Sequence, residues 1–140
     1  MSENSGKLAL KIAKIIGALG NVPKNGRNSF HKYDYVMEAD LTRALAPLLS
    51  EHNVAFFPSV VEVTETPGKG SKQQDTLATV TLEITIVDGE SGDTMVVRWR
   101  GQGMDSGDKA YYKAYTGAIK YFLMKTFLVD TGDDPEIDQD

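Results

Sequence analysis

Three lysines near the carboxyl end of the sequence have the spacing of one helical stripe. On a projection at about 100° per residue, Lys113 and Lys120 fall within about 40° of Lys109. Thr116 lies in the same stripe and Tyr112 borders it. Aligned ammonium groups can neutralise a nucleic-acid backbone, and a neighbouring tyrosine can stack on an unpaired base. The alternative interpretation is that these lysines only solvate an outer helix face.

Two arginines precede this stripe in a segment that alternates like a β-strand. Arg98 and Arg100 share one strand face, which could open onto the same groove as the lysines. Lys32 and Tyr33, in the aromatic segment 30–35, are added on similar geometric grounds. The candidate DNA contacts are therefore Lys32, Tyr33, Arg98, Arg100, Lys109, Tyr112, Lys113, Thr116 and Lys120.

A glycine-rich run over residues 100–108 leads from a strand into a helix, and it has two interpretations. Its amides could bind a phosphate at the helix N-terminus. The spacing is not that of a dinucleotide-binding loop, and Asp105 and Asp108 would repel phosphate. A sharp structural turn is the favoured interpretation.

Other candidate chemistry in the sequence is weaker. His31 and His52 lack the spacing and the carboxylate neighbours of a metal site. The acidic run 130–134 has ligands for calcium or magnesium, but a solvated tail explains it better. No nucleophile with its base and no ATP-binding loop is evident. We therefore predict no enzymatic activity, no cofactor and no metal, with a metal-dependent nuclease built on scattered carboxylates kept as an alternative.

The charge distribution changes the meaning of the net charge of −5. Six acidic residues and no basic ones lie in 130–140, so the rest of the chain has 15 basic against 14 acidic residues. Basic groups concentrate in 1–32 and 98–125, with six in each segment. A basic body with an acidic tail is compatible with a nucleic-acid partner, whereas the overall charge alone would disfavour one.

The hydrophobic pattern predicts an α+β fold. Helices are expected over 7–19, over 38–52 with Pro47 kinking it or ending its regular part, and over 107–127 with Asp105 or Ser106 as N-cap. Strands are expected over 54–64, 77–87 and 94–100. The predicted architecture is an antiparallel three-stranded β-meander packed against a long C-terminal helix, with N-terminal helices before it. Phe56, Phe57 and Trp99 are assigned to the core.

The length of 140 residues suits one domain, which we place at 1–129, followed by an acidic tail at 130–140. The chain has no cysteine, which suits a reducing cytoplasm. Its N-terminus is polar, and Lys11 and Lys14 interrupt the apolar stretch that follows. Neither a signal peptide nor a membrane span is expected.

Two segments resemble the Erf (essential recombination function) family. The first is Phe30-His31-Lys32-Tyr33-Asp34-Tyr35-Val36 together with Ala46-Pro47-Leu48-Leu49. The second, more specific one runs from Gly101 through Met104-Asp105-Ser106-Gly107-Asp108-Lys109-Ala110 and Lys120-Tyr121 to Asp133-Asp134-Pro135. The two segments occur in order, so the resemblance covers nearly the whole chain. A C-terminal domain of some relatives has no counterpart in this sequence.

The resemblance implies a phage or prophage protein, in the cytoplasm of a bacterial host, that binds single-stranded DNA and anneals complementary strands without ATP. It implies a homo-oligomeric ring or filament, and as further partners a single-stranded-DNA-binding protein or an exonuclease. Lys120 is the best-supported DNA contact by motif position, followed by Lys109 and Lys113. Tyr121 and Met124 stand where similar eukaryotic annealing proteins have further basic residues. A single-strand-protecting protein without annealing activity stays open as the alternative function.

Overall fold

The computed structural model describes residues 5–67 and 75–130, which form three helices and five strands. In chain order these are α1 (Ser5–Leu19), β1 (Gly26–Asn28), β2 (Tyr33–Tyr35), α2 (Glu38–His52), β3 (Val54–Pro67), β4 (Thr76–Asp88), β5 (Thr94–Asp105) and α3 (Ala110–Thr126). Strands β1 and β2 form a small hairpin, which was not predicted. The predicted order of helices and of the three long strands is confirmed.

The main sheet is the predicted antiparallel meander in the order β3-β4-β5. Strand β4 lies in the centre and alternates in burial as its sequence predicted, except at Thr81, which is buried although it belongs to the outer face. Its buried inner residues are Ala78, Val80, Leu82, Ile84 and Ile86. Thr79, Glu83 and Thr85 on the outer face are partly exposed. One face of the sheet therefore carries the core.

Helix α3 covers this inner face through Ala114, Ala118 and Phe122, all of which are buried. The helix can approach closely because β5 has glycines beneath it. A Cβ atom added to Gly101 would lie 2.6 Å from both the carbonyl oxygen and the Cβ of successive turns of α3, at Ala114 and Ala118. Gly103 is equally constrained, because its Cβ would lie 2.5 Å from the Ala114 nitrogen.

The glycine-rich run is therefore mostly strand, and the prediction that the third strand ends at residue 100 was wrong. Strand β5 continues to Asp105. Glycine has no side chain to show the strand alternation, but it suits a strand on which another element packs closely. The turn is confined to 106–109, and α3 begins at Ala110, later than the predicted 107.

The two N-terminal helices, α1 and α2, also contribute side chains to the core. Leu8 and Ile15 of α1 and Leu41 and Leu45 of α2 are buried. Helix α2 runs from Glu38 to His52, which confirms the predicted range. Of the two effects predicted for Pro47, a kink or an end of the regular part, the helix does not end at the proline. The leucines at 48 and 49 pack against the core beyond the proline, which offsets the lost backbone hydrogen bond.

Two of the three strand aromatics lie in the core as predicted. The rings of Phe56 and Trp99 each lie 5.8 Å from the ring of Phe122 of α3. Phe57 is 59% exposed, so its assignment to the core was wrong. It pairs with Thr85 on the outer face of the sheet, opposite the face that α3 covers. The alternation of the strand thus places two adjacent phenylalanines in opposite environments.

Candidate nucleic-acid interface

A glycine and an asparagine allow the β1–β2 hairpin to form its close strand contact and its turn. Gly26 pairs with Tyr35, and any side chain at position 26 would collide with the tyrosine ring. The Asn28 side-chain oxygen accepts hydrogen bonds from the backbone N–H groups of Phe30 (3.1 Å) and His31 (3.0 Å). An asparagine that caps its own turn is a common way to close a short hairpin.

Four aromatic side chains form a row along this hairpin. The ring centroids of Phe30 and His31 are 4.7 Å apart, those of His31 and Tyr33 are 6.5 Å apart, and those of Tyr33 and Tyr35 are 6.2 Å apart. Phe30 at the tip is 84% exposed. Exposed aromatic rings in series are typical of surfaces on which unpaired bases stack.

The row ends at a lysine of α3. The Lys120 ammonium lies 5.1 Å from the ring centroid of Tyr35 and 5.6 Å from that of Tyr121, which is cation–π geometry. The hairpin and α3 together line a solvent-open cavity of about 400 Å³, here called the hairpin cavity. Its lining residues are Arg27, Asn28, Ser29, Phe30, Tyr33, Tyr35, Lys120 and Tyr121.

A second cavity, of about 640 Å³, lies between α3 and the free edge of β5, and it is called the edge cavity. Its lining residues are Trp99, Arg100, Gly101, Gln102, Gly117, Tyr121 and Lys125. Tyr121 belongs to both cavities, so they adjoin across its side chain. We refer to the two cavities together as the groove.

The groove brings together only some of the predicted contacts. Lys120, Tyr33 and Arg100 line it. Lys32 lies in the hairpin turn beside Tyr33, in the left-handed backbone region with φ 59°. Arg98 does not line either cavity.

Arg98 and Arg100 share a strand face as predicted, but this face lies on the side of the sheet opposite α3. Strand alternation places Arg98 and Arg100 on the outer face of β5, because Gly101 and Gly103 of the same strand face α3. Arg98 pairs there with Glu83 at 3.3 Å. Arg100 reaches the groove only because β5 is an edge strand. The two arginines therefore share a face, but that face is not the one that α3 covers.

The first half of the lysine stripe lies outside both cavities. Lys109 is exposed and occupies the N-cap position of α3, before the first helical residue. Thr116 and Tyr112 are exposed on α3, with Tyr112 at 66%. The ring of Tyr112 lies 5.3 Å from that of Tyr111.

Lys113 is held by an ion pair that the sequence did not reveal. Its ammonium lies 2.7 Å from the Asp105 carboxylate. The same carboxylate accepts hydrogen bonds from the backbone N–H groups of Lys109 (3.1 Å) and Gly107 (2.9 Å). These donors, the Lys113 ammonium first, lower the pKa of Asp105 to about 2. The Gly107 and Lys109 amides, which a phosphate could have used, thus donate to a carboxylate instead. This argues against phosphate binding at the start of α3. The predicted sharp turn is limited to the residues after Asp105, where β5 ends.

Several residues of the groove were missed because they lie on the unpredicted hairpin or on the other side of α3. Arg27 lines the hairpin cavity and pairs with Asp34 at 3.0 Å. Tyr35, Tyr121 and Lys125 also line the groove and were not predicted as contacts. The signal was the short alternation Tyr33-Asp34-Tyr35 after a polar turn, which is too brief to distinguish a strand from a loop.

The other predicted features are consistent with structural roles. His31 lies in the hairpin turn and His52 ends α2. Over residues 5–67 and 75–130, no group of three His, Cys, Asp or Glu side chains could hold a metal ion. Across the same ranges, no helix has the length and hydropathy needed to cross a membrane. The acidic tail beyond Asp130 lies outside the described residues.

Comparison with known proteins gives a clear family assignment. A search of curated protein sequences finds no match. The family model of the ERF superfamily matches residues 8–140, which is nearly the whole chain and includes every residue of the groove. The protein therefore belongs to the ERF superfamily.

Proposed function

We propose that this protein binds single-stranded DNA in the groove and anneals complementary strands without ATP, in phage-type homologous recombination. Membership of the ERF superfamily supports recombination by strand annealing. The observation that carries the choice of site is the position of Lys120, whose ammonium lies within 5.6 Å of the ring centroids of Tyr35 and Tyr121. A cation among partly exposed rings suits a ligand that alternates phosphates with bases.

The residue types of the groove indicate which side chains bind phosphates and which stack on bases. The cations, from Lys120 at the centre to Arg100 and Lys125 at the edge cavity, bind phosphates and release counterions. The rings of Tyr33 and Tyr35 stack on bases. Stacking engages the faces of the bases and leaves their pairing edges accessible to a second strand. The free energy of duplex stacking then drives annealing, and the protein needs no catalytic group.

A homo-oligomer, as a ring or a filament, is part of the same proposal. Strand β3 is the other edge of the sheet, and its exposed apolar side chains support self-association. These side chains are Phe57, Val60, Val61 and Val63. A long edge strand with exposed apolar residues is a usual place for another chain to bind. An oligomer would multiply weak contacts of single subunits along one DNA strand.

The acidic tail at 130–140 and the protein partners are also proposals. The tail keeps the protein soluble, competes with DNA for the groove, or binds a host protein. A single-stranded-DNA-binding protein or an exonuclease of the host or phage is the expected partner in recombination, in the bacterial cytoplasm. Asp130, where the tail begins, lies 3.1 Å from the ammonium of Lys24.

The test compares two variants that each remove two lysines. One combines Lys120→Ala with Lys125→Ala, which both line the groove. The control combines Lys7→Ala with Lys14→Ala, two exposed positions on α1. Affinity for a fluorescent oligothymidylate is measured by anisotropy over a range of salt concentrations. The groove variant should bind more weakly, and the slope of log affinity against log salt should fall by about 0.7 for each lost phosphate contact. The control should match the wild type.

Annealing is measured separately, by energy transfer between labelled complementary strands. The wild type should accelerate duplex formation and the groove variant should not. Binding without acceleration would identify a strand-protecting protein instead. Cleavage of the strand in magnesium or manganese would favour the nuclease alternative. Wild-type affinity of a folded groove variant would refute the proposed site.

A further inference from the structure

Gly117 is a glycine for which the fold gives no reason. It lies near the middle of the 17-residue helix α3, where glycine is less stable than alanine. A Cβ atom there would meet nothing within 4 Å, and the backbone does not have the positive φ that favours glycine. Gly101 and Gly103 differ in this respect, because a Cβ atom on either would collide with α3. Neither packing nor backbone conformation therefore requires glycine at position 117.

The open space beside Gly117 is the edge cavity. Residues four apart lie above one another on a helix, so Gly117 forms a gap in a row between Lys113 and Tyr121. The row ends at Lys125, on the rim of the cavity. A larger side chain at 117 would project into the space that Tyr121 borders. The cavity has the size of a small-molecule site and a mainly apolar lining, to which Trp99 contributes.

The rim of the edge cavity is positively charged. Arg100 and Lys125 are both exposed, and neither forms an ion pair or hydrogen bond within residues 5–67 and 75–130. Arg98, two residues away on the same strand, is by contrast paired with Glu83. An apolar floor between two uncompensated cations suits a ligand with a flat apolar part and a negative charge on each side. A nucleotide within a DNA strand has this chemistry.

The geometry points to the edge cavity as a nucleobase subsite, in which one base of the bound strand lies over Gly117 against Tyr121 and its flanking phosphates bind Arg100 and Lys125. This inference rests on the proposed DNA-binding function. It also specifies the route of the DNA strand across the protein surface. Nucleotides would pass from the hairpin cavity over Tyr121 to the edge of β5. Position 117 is then kept small to admit the base, at a cost to the stability of the helix.

The test separates helix stability from binding. Gly117→Ala should raise the melting temperature by roughly 2–4 °C, because alanine is the better helix former. It should nevertheless weaken binding of a fluorescent oligothymidylate. Gly117→Leu projects a side chain into the cavity at the proposed position of the base, and it should weaken that binding roughly five-fold or more, the loss expected for one unstacked base. Binding of an abasic oligomer of the same length should change much less.

Gly17→Ala and Gly17→Leu are the matched controls. Gly17 is a helical glycine of α1 whose Cβ would also meet nothing within 4 Å, and it lines neither cavity. These variants should keep wild-type affinity. Wild-type affinity of both Gly117 variants, while Lys120→Ala binds weakly, would overturn the subsite and leave the proposed function intact. Wild-type affinity of Lys120→Ala as well would overturn both.

Discussion

The ammonium of Lys113 lies 2.7 Å from the carboxylate of Asp105, at the turn between β5 and α3. This lysine belongs to the predicted DNA-binding stripe, yet in the unbound protein its charge is already compensated. A phosphate that binds Lys113 must compete with a carboxylate that the backbone also holds in place. In the proposed complex, the pair limits how strongly the first turns of α3 attract DNA.

Replacing Asp105 should strengthen DNA binding. Asp105→Asn keeps an oxygen for the Gly107 and Lys109 amides but removes the charge that compensates Lys113. Affinity for oligothymidylate at low salt should rise a few-fold, and the salt slope should steepen by about 0.7. Anisotropy titrations at several salt concentrations measure both.

Asp108→Asn is the control for this change. Asp108 is exposed in the same turn and pairs with no described residue. Asp108→Asn removes the same formal charge as Asp105→Asn but leaves the ion pair of Lys113 intact. An equal gain in affinity from both variants would show that general electrostatics, not release of Lys113, is responsible.

A second ion pair should make stability depend on acidic pH. The buried Asp88 carboxylate accepts a hydrogen bond from the Lys11 ammonium at 2.7 Å, and others from Ser91 and the Glu90 amide. These donors, with Lys11 first, hold the pKa of Asp88 well below its ordinary value of 3.8. Because the folded pKa is the lower one, the stabilisation is complete above pH 3.8 and is lost as the pH falls below it. The pKa of Asp105 is lowered to about 2, so Asp105 also loses its contribution to stability as the pH falls toward that value.

Urea unfolding between pH 6 and pH 2 tests this dependence. The wild type should lose stability steeply at the acid end, and Asp88→Asn should be less stable at pH 6 with a flatter pH profile. The pKa of Lys11 is raised above 10.5, mainly by Asp88, so its contribution is lost only as the pH rises beyond that value. Lys14→Ala serves as the control, because Lys14 lies on the same helix and forms no ion pair with a described residue. Parallel pH profiles for the wild type and Asp88→Asn would argue against the pair.

The contact between α3 and β5 should not tolerate a methyl group. Gly101→Ala would place its Cβ 2.6 Å from both the Ala114 carbonyl oxygen and the Ala118 Cβ. The helix must then move outward, and overpacking of this kind costs about 1–3 kcal/mol. Urea denaturation should show that loss, whereas Gly17→Ala should be neutral or stabilising. Wild-type stability of Gly101→Ala would mean that the helix and strand are further apart than described.

The aromatic row should contribute to binding through its rings. Tyr33→Leu removes the ring between His31 and Tyr35, and stacking of a base is worth about 1–3 kcal/mol. Affinity for oligothymidylate should fall roughly five-fold or more. Tyr33→Phe keeps the ring and loses only the 3.3 Å hydrogen bond from Asn28, so it should bind nearly as well as the wild type. Equal losses from both variants would assign the effect to the hydroxyl group.

The sequence by itself determined the elements whose side chains repeat. The alternation from Ala78 to Ile86 and the helical apolar faces of α1, α2 and α3 identified the meander, the helices and the α+β class, because burial of one face imposes a period. It also identified Lys120 and Tyr33 as candidate contacts. It missed the end of β5 and the β1–β2 hairpin, where glycine or three-residue strands leave no period to detect.

Only the tertiary structure decided which charges face which surface. Lys113 is compensated because the β5–α3 turn brings Asp105 to it, and Arg98 faces away because Gly101 and Gly103 direct the other face of β5 toward α3. The groove itself joins a hairpin near the N-terminus to a helix about 90 residues later. Such a contact depends on packing across the core, which local residue patterns do not encode.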